Sequence, residues 1–123
     1  MADSVNHTIR KIVVATGEVT TLAGSAGLSG SSDGTGTSAG FNNPFGVTTD
    51  GTNLYVADSG NHTIRKVVIA TGKVTTLAGT AGSSGSTDGT GGSAKFNFPS
   101  GVTTDGKRLF VIDTVNNTVR EIE

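Results

Sequence analysis

The sequence predicts an all-β protein built from two consecutive copies of one repeat unit, and three observations support this prediction. The string NHTIRK occurs at residues 6–11 and again at 61–66, and a weaker copy, NNTVRE, follows at 116–121, so the repeat length is 55 residues (61 − 6). Residues 1–55 and 56–110 differ at 15 positions and are therefore identical at 40 (55 − 15). No window has the apolar period of a helix, whereas β-branched residues are frequent and turn residues separate them.

Each copy divides into short strands joined by tight turns, and the central copy contains four of them. Asp50-Gly51 favours a hairpin because both residues tolerate positive φ, and Thr71-Gly72 marks a second tight turn. The predicted strands cover residues 46–49, 54–57, 63–70 and 74–78. Together they form an antiparallel meander.

A Gly/Ser/Thr-rich segment links each fourth strand to the next copy, at Gly24–Gly40 and again at Gly79–Lys95. Such a composition is typical of flexible linkers. Within it, however, the string DGTG recurs unchanged at 33–36 and 88–91, and a phenylalanine ends both copies. We therefore expect the segment to be ordered. The string lacks the alternating acidic ligands of a calcium loop, so we expect a plain turn there.

Composition excludes several classes of function. Only 33% of the 123 residues are hydrophobic and 5% are aromatic, which predicts a thin core that needs neighbours. The net charge is −1 and no basic stripe exists, so we expect no nucleic-acid partner. The longest apolar run, Ile12–Ala15, is too short to span a bilayer, and no signal peptide is visible. The absence of cysteine fits a reducing or an oxidising compartment, so localisation stays open.

The central copy resembles an NHL repeat of β-propeller proteins. The resemblance rests on GVTTDGTNLYVADSGNHTIRKVVIATGKVTTLAG within 44–79, and AGSSGSTDGTGGSAKFNFPSGV is similar to the inter-blade loop of bacterial members. It implies four-stranded antiparallel blades, most often about six, around a central axis. The family serves mainly as a binding platform for proteins or nucleic acids, and a few members are enzymes. The expected boundaries are a partial blade (third and fourth strands) at 1–24, a complete blade with its preceding loop at 25–79, and a loop with a partial blade (first to third strands) at 80–123.

Two blades leave broad apolar faces and open sheet edges uncovered, which predicts closure by homo-oligomerisation. A head-to-tail dimer, trimer or tetramer of this two-repeat chain contains four, six or eight blades. A homotrimer is favoured because it has about six blades, as the resemblance implies. The last 13 residues repeat the start of the chain (123 − 110), so the third strand is present twice, at Thr8–Val14 and Thr118–Glu123. Glu121 and Glu123 make the second copy more polar, and we expect it to be the looser one.

An aspartate ends the second strand of each copy and an arginine follows seven residues later on the third strand. These residues predict inter-strand ion pairs that close each blade; alternatively, a ring of them binds an anion or polar ligand. The pairs are Asp3 with Arg10, Asp58 with Arg65, and Asp113 with Arg120. Candidate ligand-facing loop residues are Asp33, Asp88, His7 and His62.

The residues predict no catalysis, because no nucleophile lies in a recognisable arrangement with a base. We expect no metal and no cofactor, since one histidine per copy and no cysteine cannot form a ligand set. The predicted function is a non-catalytic scaffold that assembles with itself, and the alternative is a ligand- or protein-binding propeller module that uses the inter-blade loops or the channel mouth.

Overall fold

A computed structural model describes the whole chain, Met1–Glu123. It contains eleven strands and three single turns of 3-10 helix, at 36–38, 59–61 and 91–93. None of these helical turns has the length or the apolar character needed to cross a membrane. The strands are β1 (Ala2–Asp3), β2 (Thr8–Ile12), β3 (Val19–Gly24), β4 (Gly34–Thr35), β5 (Pro44–Thr49), β6 (Asn53–Asp58), β7 (Thr63–Val68), β8 (Lys73–Ala78), β9 (Pro99–Thr104), β10 (Leu109–Asp113) and β11 (Thr118–Ile122).

The strands form three antiparallel sheets, which confirms the predicted all-β class. The N-terminal sheet has the order β1-β2-β3, the central sheet β4-β8-β7-β6-β5, and the C-terminal sheet β11-β10-β9. Consecutive strands pair within each sheet, as expected for a meander. The central third strand ends at Val68 rather than at residue 70, because the amides of Thr71 and Gly72 already bond back to the Val68 carbonyl in the turn.

Two apolar clusters hold the sheets face to face. The first joins the N-terminal and central sheets, and the second joins the central and C-terminal sheets, so both faces of the central sheet are covered. Phe41 and Phe96, at the ends of the two Gly/Ser/Thr-rich segments, are fully buried within these clusters. The clusters are Ile9, Ala23, Ala39, Phe41, Val56, Val67 and Val74, and Ala57, Ile64, Ala78, Ala94, Phe96, Leu109 and Val111.

The segment between the first two sheets folds against the sheet that follows it. Its strand β4 pairs with the outer edge of β8, with Gly34 opposite Val74 and Thr35 opposite Lys73. In the first copy, the DGTG string therefore forms a two-residue strand and the start of a 3-10 turn rather than a plain turn, whereas in the second copy it leads into a 3-10 turn without a strand. Glycine at position 34 lets the segment turn back closely on itself, since a Cβ added there would meet the Ser38 carbonyl oxygen at 2.8 Å.

Candidate functional site

A cluster of hydrogen-bonded polar groups surrounds the guanidinium of Arg65, whose side chain is 1% exposed. On one side, Nη1 donates to Asp58 Oδ2 at 2.9 Å and to the Gly40 carbonyl at 2.8 Å. On the other side, Nη2 donates to Asp33 Oδ1 and to the Ser32 carbonyl, each at 3.0 Å. We call this arrangement of an arginine with two aspartates and two carbonyl groups the arginine site.

The Gly/Ser/Thr-rich segment Gly24–Gly40, which we call the linking segment together with its copy Gly79–Lys95, supplies most of this site. Ser32, Asp33 and Gly40 precede the first strand of the central sheet, and Phe41 places its ring under the guanidinium, 5.2 Å from Cζ to the ring centroid. A guanidinium over an aromatic face is stabilised by the ring quadrupole, more so when both are buried. The site therefore fastens the segment onto the sheet that follows it.

Asp58 is fully buried and accepts three hydrogen bonds, one of them from its charged partner Arg65. Its Oδ1 accepts from the Asn42 amide at 2.8 Å, and its Oδ2 accepts from Asn61 Nδ2 at 2.8 Å as well as from Arg65. Burial raises the pKa of Asp58 above its ordinary value, while these donors act in the opposite direction. Removing the arginine would leave a buried carboxyl group with no cationic partner.

The C-terminal sheet has a second arginine site with the same partners, 55 residues further on. Arg120 Nη1 donates to Asp113 at 3.1 Å and to the Lys95 carbonyl at 3.0 Å, and Nη2 donates to Asp88 and to the Thr87 carbonyl. The Arg120 side chain is 13% exposed. Asp88, however, is 94% exposed, whereas Asp33 in the central site is 53% exposed.

The N-terminal sheet has only part of an arginine site. Arg10 Nη1 donates to Asp3 at 3.2 Å and has no other side-chain partner, and the Arg10 side chain is 27% exposed. The six residues of the predicted ion pairs thus lie pairwise within hydrogen-bond distance. Each pair belongs to a different sheet, and a ring of these residues that binds an anion or polar ligand stays a prediction for the assembled propeller.

The four candidate loop residues take part in contacts between elements of the chain. Asp33 and Asp88 bind the arginines described above. His7 Nδ1 accepts the Asn43 amide and His62 Nδ1 accepts the Phe98 amide, each at 3.1 Å, so both histidines tie one sheet to the next. No group of three or more metal-ligating side chains occurs in the chain.

An open groove of about 1190 Å³ lies beside β11, between that strand and Gly89–Thr90. Phe96, Val119 and Arg120 line it. In the central sheet the equivalent space is occupied by β8, which pairs with β7 on one side and with β4 on the other. The sequence predicts an open sheet edge here but not the second wall of the groove, Gly89–Thr90. The recurrence of the string DGTG at 88–91 could have indicated that wall.

Solved structures place the chain in a class of folds. It superposes on a protein of unknown function from Bacteroides thetaiotaomicron with a TM-score of 0.90 and 31% identity, covering 98% of this chain and 31% of that one. It superposes on an auxiliary nutrient binding protein from Bacteroides ovatus with a TM-score of 0.82 and 27% identity, covering 98% and 33%. Antiparallel meanders that pack face to face, as these three sheets do, fit the blades of a β-propeller fragment.

Sequence relatives identify the repeat more closely, although no protein-family model matches the chain. Human NHL repeat-containing protein 2 is 35% identical over the whole chain, which spans 18% of its length. The chloroplast protein SUPPRESSOR OF QUENCHING 1 of Arabidopsis thaliana is 39% identical, and the chain spans 12% of its length. Over its whole length the chain is similar to a part of NHL repeat-containing protein 2, which confirms the resemblance to NHL repeats seen in its sequence.

Proposed function

We propose that the 123-residue chain is a non-catalytic scaffold that assembles head to tail with copies of itself into a closed propeller. The observation that carries this proposal is the groove beside β11. Its two walls, β11 and Gly89–Thr90, correspond to β7 and β4, and the central sheet places a strand between those walls. The groove therefore has the form of a site for one more strand.

Exposed apolar side chains on the C-terminal sheet support the same proposal. Val119 is 66% exposed and Ile112 is 46% exposed, whereas the equivalent residues of the central sheet, Ile64 and Ala57, are fully buried against the neighbouring sheet. Covering apolar surface stabilises an assembly by about 25 cal/mol per Å². Head-to-tail contacts that close on themselves give rings of cyclic symmetry.

A trimer is the ring that we propose, in preference to a dimer or tetramer. The chain spans 31% and 33% of the two solved neighbours, so three copies correspond to about one whole neighbour chain. Three copies of two repeats make six blades, within the range that closed propellers use. Further partners are not part of the proposal: a net charge of −1 supports neither nucleic-acid nor membrane binding.

The absence of catalysis is likewise proposed from how the polar side chains are used. Asp33, Asp58 and Arg65 are engaged with one another, and both histidines accept backbone amides through Nδ1. General acid–base work needs a titratable group within reach of a substrate. These groups instead hold the sheets together.

Mass measurement over a dilution series tests the proposal. Multi-angle light scattering should give three times the 12.3 kDa mass of one chain, with dissociation on dilution. A synthetic peptide with the sequence of residues 73–80, added during refolding, should fill the groove and reduce the mass, whereas a scrambled peptide should not. A single species with the mass of one chain at all concentrations would overturn the proposal.

A binding module is the second candidate, and the solved neighbours favour it. Two of them, from Bacteroides thetaiotaomicron and Bacteroides ovatus, are described as auxiliary nutrient binding proteins. This chain exposes Phe45 and Phe98, at 66% and 49%, near the starts of the first strands. Exposed aromatic side chains of this kind suit flat apolar ligands. Glycan and peptide arrays probed with the purified chain test this candidate. Binding to an array spot that is lost in the Phe45→Ala and Phe98→Ala variants would support it. Arrays without any bound spot would contradict it.

A further inference from the structure

Each joint of the proposed ring contains the third strand twice, once as β11 and once as β2 of the second copy. Resting on the proposed assembly, we propose that β11 keeps its place, and that β3 of the second copy pairs with β11 after releasing its own β1 and β2. The N-terminal segment 1–12 of each chain is then displaced.

The groove fits β3 in sequence and in register. Residues 19–24 and 74–79 share the sequence VTTLAG, so β3 has the same side chains as β8. In the central sheet, Arg65 lies opposite Thr76 and Ile64 lies opposite Ala78. With an offset of 55, Arg120 comes opposite Thr21 of the second copy, and Val119 opposite Ala23 of the second copy.

The second wall of the groove offers a specific hydrogen bond. In the central sheet, Thr76 Oγ1 donates to Asp33 Oδ1 at 2.9 Å, which ties the fourth strand to the arginine site. Thr21 of the second copy is equivalent to Thr76, and Asp88 is equivalent to Asp33. Asp88 is 94% exposed and bonds only to Arg120, so it is free to accept from this threonine.

Two arginines compete for one arginine site in the joint. Arg120 already has its complete set of partners, including Asp88 and Asp113. Arg10 of the second copy would have to displace it to reach the same groups. Charge-assisted hydrogen bonds are about twice as strong as neutral ones, and an exchange would break those of Arg120 only to form the same ones with Arg10, so it gains nothing at this site. Releasing β2 breaks the ion pair of Arg10 with Asp3, the ladder between β2 and β3 and the packing of Ile9. In the joint, β11 offers the equivalent ladder to β3, and Val119 takes the place equivalent to Ile9.

The apolar side chains of β10 and β11 are matched to each other in size. In the first two copies, alanine lies opposite isoleucine, as Ala2 with Ile9 and Ala57 with Ile64. In the third copy the larger side chain is on the other strand, with Ile112 opposite Val119. If β2 of the second copy replaced β11, Ile9 would lie opposite Ile112. Two isoleucines would then occupy the room that holds alanine and isoleucine in the central sheet, and overpacking of this kind is destabilising.

The charges of the two strands are matched as well. Arg108 Nη1 lies 3.6 Å from Glu121 Oε1, and Lys11 is the residue of β2 equivalent to Glu121. Replacing β11 by β2 would therefore bring a lysine next to Arg108, and like charges at adjacent positions of a sheet are destabilising. Glu121, which made the C-terminal copy look looser in the sequence, instead pairs with Arg108, the residue immediately before β10. The inference is the reverse of that expectation.

Limited trypsin digestion of the assembled full-length protein tests the inference. We expect early cleavage after Arg10 or Lys11, with loss of the N-terminal peptide and retention of particle mass, while the bond after Arg120 stays protected. Mass spectrometry identifies the peptides. Early cleavage after Arg120 with protection of Arg10, or equal cleavage at both, would overturn the inference.

A matched pair of variants gives a second readout that does not depend on protease access. Arg120→Ala should raise the midpoint concentration of assembly by about tenfold or more, whereas Arg10→Ala should leave it unchanged or lower it. The opposite order would overturn the choice of strand. If no particle larger than one chain forms at any concentration, the proposed assembly itself fails and the inference fails with it. If a ring forms but shows the reverse digestion pattern, the proposed assembly stands and only the choice of β11 over β2 is wrong.

Discussion

Arg65 and Arg10 occupy equivalent positions on equivalent strands, yet their surroundings differ. Arg65 is buried among two aspartates, two carbonyl groups and the Phe41 ring, whereas Arg10 has Asp3 alone. Both strands carry the sequence TIRK, so the local sequence is not the cause. The difference is the linking segment, which precedes the central sheet and has no counterpart before the N-terminal one in these 123 residues. The packing unit is therefore a sheet together with the segment before it.

The two terminal sheets are incomplete in complementary ways. The C-terminal sheet has its linking segment, with Asp88 and Phe96, but no fourth strand. The N-terminal sheet has its fourth strand, β3, but no linking segment before it. The proposed ring joins these two sheets, so that each supplies what the other lacks.

The arginine pair should give the largest difference. Arg65→Ala should lower the free energy of unfolding by about 3–5 kcal/mol, because Asp58 is left buried without its cationic partner. Arg10→Ala should lower it by about 0–1 kcal/mol, since the Arg10 pair is partly exposed. Urea denaturation monitored by circular dichroism measures both. Equal losses would mean that the linking segment contributes little to the site.

Equivalent apolar residues should behave differently in the dissociated chain. Ile9→Ala should cost about 2–5 kcal/mol, because Ile9 is fully buried against the central sheet. Val119→Ala should change stability by less than about 0.5 kcal/mol, because Val119 is 66% exposed. At concentrations where rings form, the order should reverse if β11 rather than β2 is used in the joint. An unchanged order on assembly would argue for β2.

Alanine substitutions at two glycines distinguish the cost of backbone strain from the cost of steric overlap. Gly79 has φ +89° and a Cβ there would meet the His62 carbonyl oxygen at 2.5 Å, whereas Gly17 has φ +74° with nothing within 4 Å. Gly17→Ala should cost about 1 kcal/mol from the left-handed conformation alone. Gly79→Ala should cost about 1 kcal/mol more than that, because the end of β8 must shift. Thermal unfolding of both variants measures the difference, and equal costs would show that the overlap relaxes freely.

Lowering the pH should reduce the stability contributed by the hairpin turn at Asp105, by less than the substitutions above reduce stability. The amides of Lys107 and Arg108 and the Arg108 side chain lower the pKa of Asp105 from 3.8 to about 2. Because the folded-state pKa lies below the unfolded one, this stabilisation is present above about pH 4 and is lost as the pH falls towards 2. Asp105→Asn should make the melting temperature fall less steeply between pH 5 and 2.5 than in the parent chain. Parallel curves would contradict the assignment.

Much of the fold followed from local pattern. The β-branched runs and turn residues predicted β5, β6, β7 and β8 of the central sheet with ends within two residues of the observed ones. The largest differences are the start of β5 and the end of β7. The role of Asp33 was not predictable, since its partner lies 32 residues away and loop composition alone does not say where the loop packs. The same holds for β4, whose two residues have no strand pattern of their own and pair only because β8 offers a free edge.

By itself, the sequence determined the repeat length, the strands and the spacing of each aspartate and arginine, because alternation and turn residues act over a few positions. The tertiary structure was needed to show that the linking segment packs on the sheet after it and that the groove beside β11 has two walls. Both depend on contacts between residues far apart in the chain, such as Asp33 with Thr76, which no local pattern encodes.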